Sequence, residues 1–184
     1  MSNRFDINET PLPGLVRLDR IRMGDERGWL ERMFCAEELS TPGWAGGIAQ
    51  INRTLTLNRG TLRGMHFQNA PHEEAKLVSC LAGEVFDVAV DVRKNSPTYL
   101  HWHGEILSGE NSRSLLIPEG FAHGFQTLSD NVEMLYFHSV PYAPSSEDGL
   151  RPDDPRLAIT WPLAISEISE RDRNHKLLSE RTGL

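Results

Sequence analysis

Between Val85 and His138 the chain alternates short extended segments with turn chemistry, at intervals that leave no room for a helix of ordinary length. Turn residues cluster at Lys94-Asn95-Ser96-Pro97, Ser108-Gly109-Glu110-Asn111, Pro118-Glu119-Gly120 and Ser129-Asp130-Asn131. Between them lie Trp102–Leu107, Arg113–Ile117, Phe121–Leu128 and Val132–His138. This spacing predicts a jelly roll or similar closed sandwich, whose double-sheet winding protects its strand edges. The clearest strand is Val85–Arg93, with Phe86, Val88, Val90 and Val92 on one face and Asp87, Ala89, Asp91 and Arg93 on the other. The apolar face is expected to pack against a second sheet, and the charged face to line a cavity or meet water. Asp87 and Asp91 are then either pocket residues or plain surface. Helix is sparse: Ala36–Ser40 as one turn, and Ser166–Arg173 as a short helix capped by Ser166 or Ser169. The turn-rich stretch from Asp148 to Pro162 is expected to cross the surface.

At 184 residues the chain fits one domain with a core large enough to need no cross-links. The formal charge of −7 argues against non-specific nucleic-acid binding, while Arg63, Lys76, Arg93 and Arg113 in the middle third leave room for a small anionic ligand. Cys35 and Cys80 are far apart and form no Cys-x-x-Cys pair, which fits a reducing cytoplasm better than a disulfide framework or a structural zinc site. The stretch Met1–Glu9 is polar, and no run approaches the roughly 20 apolar residues that span a bilayer. Neither export nor membrane insertion is expected.

Two segments carry the chemistry: Arg63-Gly64-Met65-His66-Phe67-Gln68 and Pro118-Glu119-Gly120-Phe121-Ala122-His123-Gly124. Each histidine sits in a strand-like run, so a closed sheet can point both toward one cavity. Imidazole, with an unperturbed pKa of roughly 6.5, serves either as a metal ligand or as a base near neutral pH. Pro-x-Gly-x-x-His at 118–123 resembles the second motif of the cupin double-stranded β-helix. The first cupin motif supplies His-x-His and a carboxylate for a metal, whereas here His66 is followed by Gln68, leaving the metal set incomplete. His72 with Glu73 or Glu74 could complete a facial triad only from a turn-like segment. No metal or other cofactor is expected.

A more extended likeness runs through Gly24-Asp25-Glu26-Arg27-Gly28, Leu62–Gln68, Lys76-Leu77-Val78, Gly83–Asp91, Ser96-Pro97-Thr98 and Ile117–Phe125. It continues through Glu133-Met134-Leu135-Tyr136, Asp154-Pro155, Ile159-Thr160-Trp161-Pro162 and Ser169-Glu170-Arg171-Asp172. Over nearly its whole length the chain resembles the dTDP-4-dehydrorhamnose 3,5-epimerases, metal-independent cupins that epimerise nucleotide-linked 4-keto-6-deoxy sugars. The resemblance implies a mainly β cupin jelly roll with a few short helices. It also implies a homodimer that exchanges N-terminal strands and completes the pocket across the interface, with 163–184 as a short helix and tail. In the reaction, the C4 carbonyl acidifies the protons on C3 and C5, so a base is needed on one face of the ring and a proton donor on the other. By resemblance His66 is the base, Asp172 orients it, Tyr136 is the donor and Lys76 lies near the C4 oxygen. Arg27, Gln50, Asn52, Arg63, His123, Glu147 and Arg171 match substrate contacts, the arginines suiting diphosphate oxygens.

Each of these residues also has a structural reading. Arg63 and Asp172 could form an ion pair, Tyr136 could be a core aromatic, and His123 could be packed behind the Pro-Gly turn. For His72, His101, His103, His138 and His175 the surface or packing reading is preferred, and Trp102 and Trp161 read as core. The chain departs from the family at three places. Arg32 stands where a glutamate is usual, with Glu31 beside it and expected on the opposite strand face. Gln50-Ile51-Asn52 lacks the usual aspartate, and Pro141 precedes Tyr142 where paired aromatics are usual. The expected activity is conversion of dTDP-4-dehydro-6-deoxyglucose to dTDP-4-dehydrorhamnose. The alternatives are a C3-only or C5-only epimerase on a dTDP- or CDP-linked sugar, a non-catalytic nucleotide-sugar binder, or a metal-dependent cupin.

Overall fold

The strand-and-turn alternation folds into two facing antiparallel sheets, here in a computed structural model that describes residues 3–181. Met1 and Ser2 of the polar leading stretch, and 182–184 at the end of the expected C-terminal tail, lie outside the described residues. The chain runs through β1 (Phe5–Glu9), β2 (Val16–Arg20), β3 (Met23–Asp25), β4 (Gly28–Leu30) and α1 (Ala36–Ser40). Then follow β5 (Gln50–Thr56), β6 (Thr61–Gln68), β7 (Lys76–Ala82), β8 (Glu84–Asp91), β9 (Trp102–Ser108), β10 (Arg113–Ile117), β11 (Phe121–Thr127) and β12 (Val132–His138). The last elements are β13 (Glu147–Gly149), β14 (Glu167–Ile168), α2 (Glu170–Arg173) and a 3₁₀ turn at Leu178–Glu180. The first sheet is ordered β1-β2-β10-β7-β12-β5 and the second β13-β6-β11-β8-β9, with β14 parallel to β6. This is a jelly roll, with β3 and β4 forming a separate hairpin.

The core between the sheets joins Val78, Cys80, Leu115, Ile117 and Met134 of the first to Val85, Ala89, Leu107, Phe121 and Phe125 of the second. Two further apolar layers cover the outer faces. Leu39 and Trp44, with Met33 and Phe34, pack on Leu18, Leu77 and Phe137 outside the first sheet. Leu150, Leu157 and Leu178 pack on Met65, Val88 and Val90 outside the second. Two expectations are corrected here. The apolar face of β8 meets this outer layer rather than the second sheet, because the segment after β13 is folded back and buries Leu150 and Leu157 instead of merely crossing the surface. Trp102 and Trp161 join the same layer edge-on to Phe86.

The charged face of β8 therefore points inward, and both its aspartates are fully buried. Asp91 serves the fold: it accepts from Arg93 Nη2 at 2.7 Å, Ser96 Oγ at 2.5 Å and Thr98 Oγ1 at 2.7 Å, pinning the turn after β8. Burial favours its protonated form, but these donors outweigh burial and hold the carboxyl down at about 2. Glu31 is not on a strand, since β4 ends at Leu30. Its nearly buried carboxylate pairs with Arg20 Nε and Arg22 Nε, both at 3.2 Å, while Arg32 pairs with Glu38.

The two histidine segments become adjacent strands, and His66 on β6 and His123 on β11 are direct cross-strand partners. Close approach at this point requires glycine on both strands. A Cβ on Gly64 would lie 2.5 Å from Gly124 Cα, and one on Gly124 would lie 2.7 Å from the Arg63 carbonyl oxygen. Gly64 also adopts φ +127°, a conformation that L side chains rarely take.

Candidate active site

A cavity of about 960 Å³ opens between the two sheets. Its wall includes β5, β7 and β12 of the first sheet, β6 and β11 of the second, and the segment from β14 through α2. The size suits a ligand larger than a simple sugar. Of the eleven residues matched to the family site, ten line it: Gln50, Asn52, Arg63, His66, Lys76, His123, Tyr136, Glu147, Arg171 and Asp172. Arg27 does not. It sits at the tip of the β3–β4 hairpin, fully exposed and paired with Asp25 Oδ2 at 2.5 Å.

His66 is partly exposed to the cavity, and its Nε2 lies 2.7 Å from Asp172 Oδ1. Asp172 is only 5 % exposed at its side chain. Ser169 places it by capping α2, its Oγ accepting from the Asp172 N–H at 3.1 Å. The second carboxylate oxygen accepts from the Gly64 N–H at 3.2 Å. Burial pushes the Asp172 carboxyl up, but the bond and charge of His66, with the Gly64 and Ser169 donors, outweigh burial and hold it at about 2. Asp172 is thus anionic at neutral pH, and it does not pair with Arg63. Arg63 instead donates from Nε to Thr56 Oγ1 at 2.9 Å.

On the facing sheet, burial and the nearby Asp87 charge raise the Tyr136 phenol above its ordinary value, so it stays protonated; Thr54 Oγ1 lies 3.5 Å from its hydroxyl. His123 is edge-on to the Tyr136 ring at 6.2 Å and bonds through Nε2 to Asp87 Oδ2 at 2.9 Å. Asp87 is therefore a buried partner of a cavity histidine, which resolves its two sequence readings. Lys76 Nζ lies 2.9 Å from Glu74 Oε1 and 3.5 Å from the His66 carbonyl oxygen. Toward the mouth, Tyr142 donates its hydroxyl to Glu147 Oε2 at 2.7 Å, Arg171 Nη1 donates to the same oxygen at 3.1 Å, and Tyr142 N donates to Gln50 Oε1 at 3.2 Å.

Sequence reasoning weighed Glu74 only as a metal ligand and Tyr142 only as part of a departure from the family, and it placed one cavity histidine, His138, among surface or packing residues. Glu74, Asp87 and Tyr142 all belong to the site network. His138 lines the wall, with its ring 6.3 Å from that of Tyr136 and nearly parallel to it. His175 packs 6.3 Å from the His66 ring, where burial disfavours its charged form. Strand alternation carries the signal for His138, two residues beyond Tyr136 on β12, while Glu74 lies before β7 begins and has no such signal. His66, Asp172 and His175 bring potential ligand atoms within 4.8 Å of one another. Arg171 Nη2 already approaches His66 Nε2 at 2.9 Å, and a guanidinium in that corner opposes a divalent cation by like charge.

A family model described as dTDP-4-dehydrorhamnose 3,5-epimerase matches residues 9–180. The dTDP-4-dehydrorhamnose 3,5-epimerase of Salmonella typhimurium is 43 % identical over 176 residues, covering 94 % of each chain. A dTDP-4-dehydrorhamnose 3-epimerase of Streptomyces niveus is 43 % identical over 133 residues, covering 72 % of this chain and 64 % of that one. Among solved structures, the dTDP-6-deoxy-D-glucose-3,5-epimerase of Legionella pneumophila in complex with dTDP-4-keto-L-rhamnose superposes with a TM-score of 0.89 at 42 % identity, covering 96 % of this chain and 94 % of that one. This chain belongs to the dTDP-4-dehydrorhamnose 3,5-epimerase family.

Proposed function

We propose that this protein epimerises C3 and C5 of dTDP-4-dehydro-6-deoxyglucose to give dTDP-4-dehydrorhamnose. The observation that carries this reading is a histidine–carboxylate pair and a protonated tyrosine on facing sheets of one cavity. His66, with its Nε2 proton directed at Asp172, keeps a lone pair on its other ring nitrogen and takes the proton from the carbon next to the carbonyl. The electron pair moves into the C4 carbonyl to form an enolate, whose oxygen the Lys76 ammonium stabilises. Tyr136 then delivers its phenolic proton to the opposite face of the same carbon, and the ring has inverted there. Exchange with water resets both groups, and a second round inverts the other carbon. Asp172 stabilises the imidazolium formed in each round.

Gln50, Asn52, Arg63, His123, Glu147 and Arg171 are assigned to substrate binding, with Arg63 and Arg171 as cations for the diphosphate. A homodimer is part of the same reading. Met23, Trp29 and Leu30 are exposed on the β3–β4 hairpin, and a second copy covering them would carry Arg27 to a cavity it does not reach within its own chain. Both cysteines are free, in keeping with a reducing cytoplasm. Among the described residues no helix is long and apolar enough to cross a membrane.

Incubation with dTDP-4-dehydro-6-deoxyglucose in deuterated water, followed by NMR, tests the assignment. Deuterium at both C3 and C5 with formation of the L-configured product is the expected result. Label at one carbon identifies a single-site epimerase, and label at neither removes the reading.

A further inference from the structure

Lys76 does not stand alone on its strand. Across β7 from it, the Cα partners are Ile117 on β10, which is apolar, and His138 on β12, which is not. Glu74, just before β7, reaches both polar side chains: its Oε1 lies 2.9 Å from Lys76 Nζ and its Oε2 lies 2.8 Å from His138 Nδ1. The side chains of Lys76 and Glu74 are each 9 % exposed and that of His138 is 14 % exposed, so the ion pair is desolvated and its geometry is restrained. Burial alone would raise the Glu74 carboxyl, but His138 and Lys76 together hold it below its ordinary value, so it is an anion at neutral pH. His138 is held in turn, its ring lying nearly parallel to that of Tyr136 and its Nε2 3.5 Å from Asn52 Nδ2.

We propose that Glu74 and His138 are a positioning pair for the epimerisation: Glu74 fixes the Lys76 ammonium where the enolate oxygen forms, and His138 fixes Glu74. The inference rests on the role given to Lys76 in the proposed function. An ammonium on a four-carbon stem is a mobile charge, and in a largely dry wall it needs a counter-charge to stay protonated. Glu74 supplies both restraint and counter-charge from within the protein, so no substrate group is spent on either. The carboxylate accepts one hydrogen bond at each oxygen, and loss of the His138 bond frees Glu74 to rotate away from Lys76. The groups facing Lys76 are Glu74 beside it, His138 and Tyr136 on β12, and across the cavity His66 on β6 and His123 on β11.

The test uses the full-length protein and two readouts. Acetylation of Lys76 by acetic anhydride, followed by peptide mass spectrometry across pH, reports the free amine directly and needs no turnover. In Glu74→Gln the pH at which Lys76 becomes reactive is expected to fall by about one unit, the usual effect of removing an opposite charge within 4–6 Å. In steady-state assays Glu74→Gln is expected to lose about tenfold to a hundredfold in kcat with little change in KM, because the restraint matters most when the enolate charge develops. The alkaline limb of its kcat profile should shift in the same direction as the acetylation. His138→Leu is expected to lose about tenfold in kcat, and His138→Asn, which keeps a donor near the Nδ1 position, to recover to within about threefold of wild type. An unchanged Lys76 acetylation profile in Glu74→Gln overturns the proposal, as does His138→Asn being as impaired as His138→Leu. If wild type fails to exchange label while the acetylation profile shifts, the hold on Lys76 stands and the sugar epimerase reading falls.

Discussion

Replacing Asp172 by asparagine removes one charge and also one acceptor, and the second loss makes the outcome sharp. The carboxylate accepts at both oxygens, from His66 Nε2 at 2.7 Å and from the Gly64 N–H at 3.2 Å. An amide has one oxygen. If it serves Gly64, the amide NH₂ faces His66 Nε2 and favours the tautomer with its proton on the other ring nitrogen, abolishing the lone pair that the proposed mechanism uses to take the carbon-bound proton. If it serves His66, two N–H donors meet at Gly64 in a buried site, at a cost of about 1–3 kcal/mol. The charge is worked from the carboxyl itself, which sits at about 2 against an ordinary 3.8. That depression is worth between about 2 and 3 kcal/mol, or about sixtyfold, at roughly 1.4 kcal/mol per pKa unit.

Asp172→Asn should therefore lower kcat by about sixtyfold, and by as much as about 10⁴-fold if the tautomer is inverted. KM should stay near the wild-type value, because in the proposed mechanism Asp172 acts through His66. The same group links stability to pH. A depressed carboxyl contributes stability above pH 3.8, and the contribution is lost as pH falls through about 2. Urea midpoints should accordingly separate wild type from Asp172→Asn at pH 7 and converge at about pH 2. Deuterium exchange at C3 and C5, followed by NMR, is the kinetic assay. An Asp172→Asn variant that exchanges within about threefold of the wild-type rate would refute the argument that this carboxylate sets the tautomer and stabilises the imidazolium.

Other perturbations probe separate parts of the molecule. Tyr136→Phe should retain deuterium exchange at a carbon but slow completed inversion by about a hundredfold, a typical contribution of a positioned proton donor, as NMR of the product ring will show. Gly64→Ala places a Cβ 2.5 Å from Gly124 Cα at a residue with φ +127°. It should cost about 3 kcal/mol or more, read as a lowered thermal midpoint, and a variant that melts with wild type would show that β6 and β11 can separate freely. Cys80 is buried, and burial pushes its thiol up to about 11. Iodoacetamide at neutral pH should therefore label Cys35 and spare Cys80 in the native protein, with equal labelling of the two after denaturation.

What the sequence made legible follows from which forces act locally. Strands Arg113–Ile117 and Val132–His138 and helix Ala36–Ser40 begin and end where alternation and turn residues placed them, because a turn fixes its neighbours at short range. The Ser169 cap was readable for the same reason, although Glu167–Ile168 before it pairs with β6 instead of joining the helix. Burial across layers was harder. The face of β8 carrying Phe86, Val88 and Val90 looked like the side meant for a second sheet, and nothing near it in sequence announces that Leu150, Leu157 and Leu178 cover it. The inward turn of Asp87 follows from the same reversal. Once a distant segment supplies apolar cover outside, the polar face can turn inward, and His123 of the cavity wall gives Asp87 a partner.

The site shows the same division. Residues at strand positions kept their register, and ten of the eleven matched positions converge on one cavity. Arg27 does not, because its hairpin stands apart from both sheets and borders a separate, smaller hollow with Met23, Trp29 and Leu30. His138 was legible in principle, since it is two residues from Tyr136 on β12 and strand alternation puts such pairs on one face, whereas Glu74 precedes β7 and carries no such signal. What alternation does not report is chemistry between strands. That Glu74 reaches Lys76 and His138 together depends on the register of β7 against β12, which is set by hydrogen bonding across the sheet and only then places a carboxylate between two donors. A histidine read as packing and a glutamate read as turn thereby become the surroundings of the cation to which the proposed mechanism assigns the developing charge.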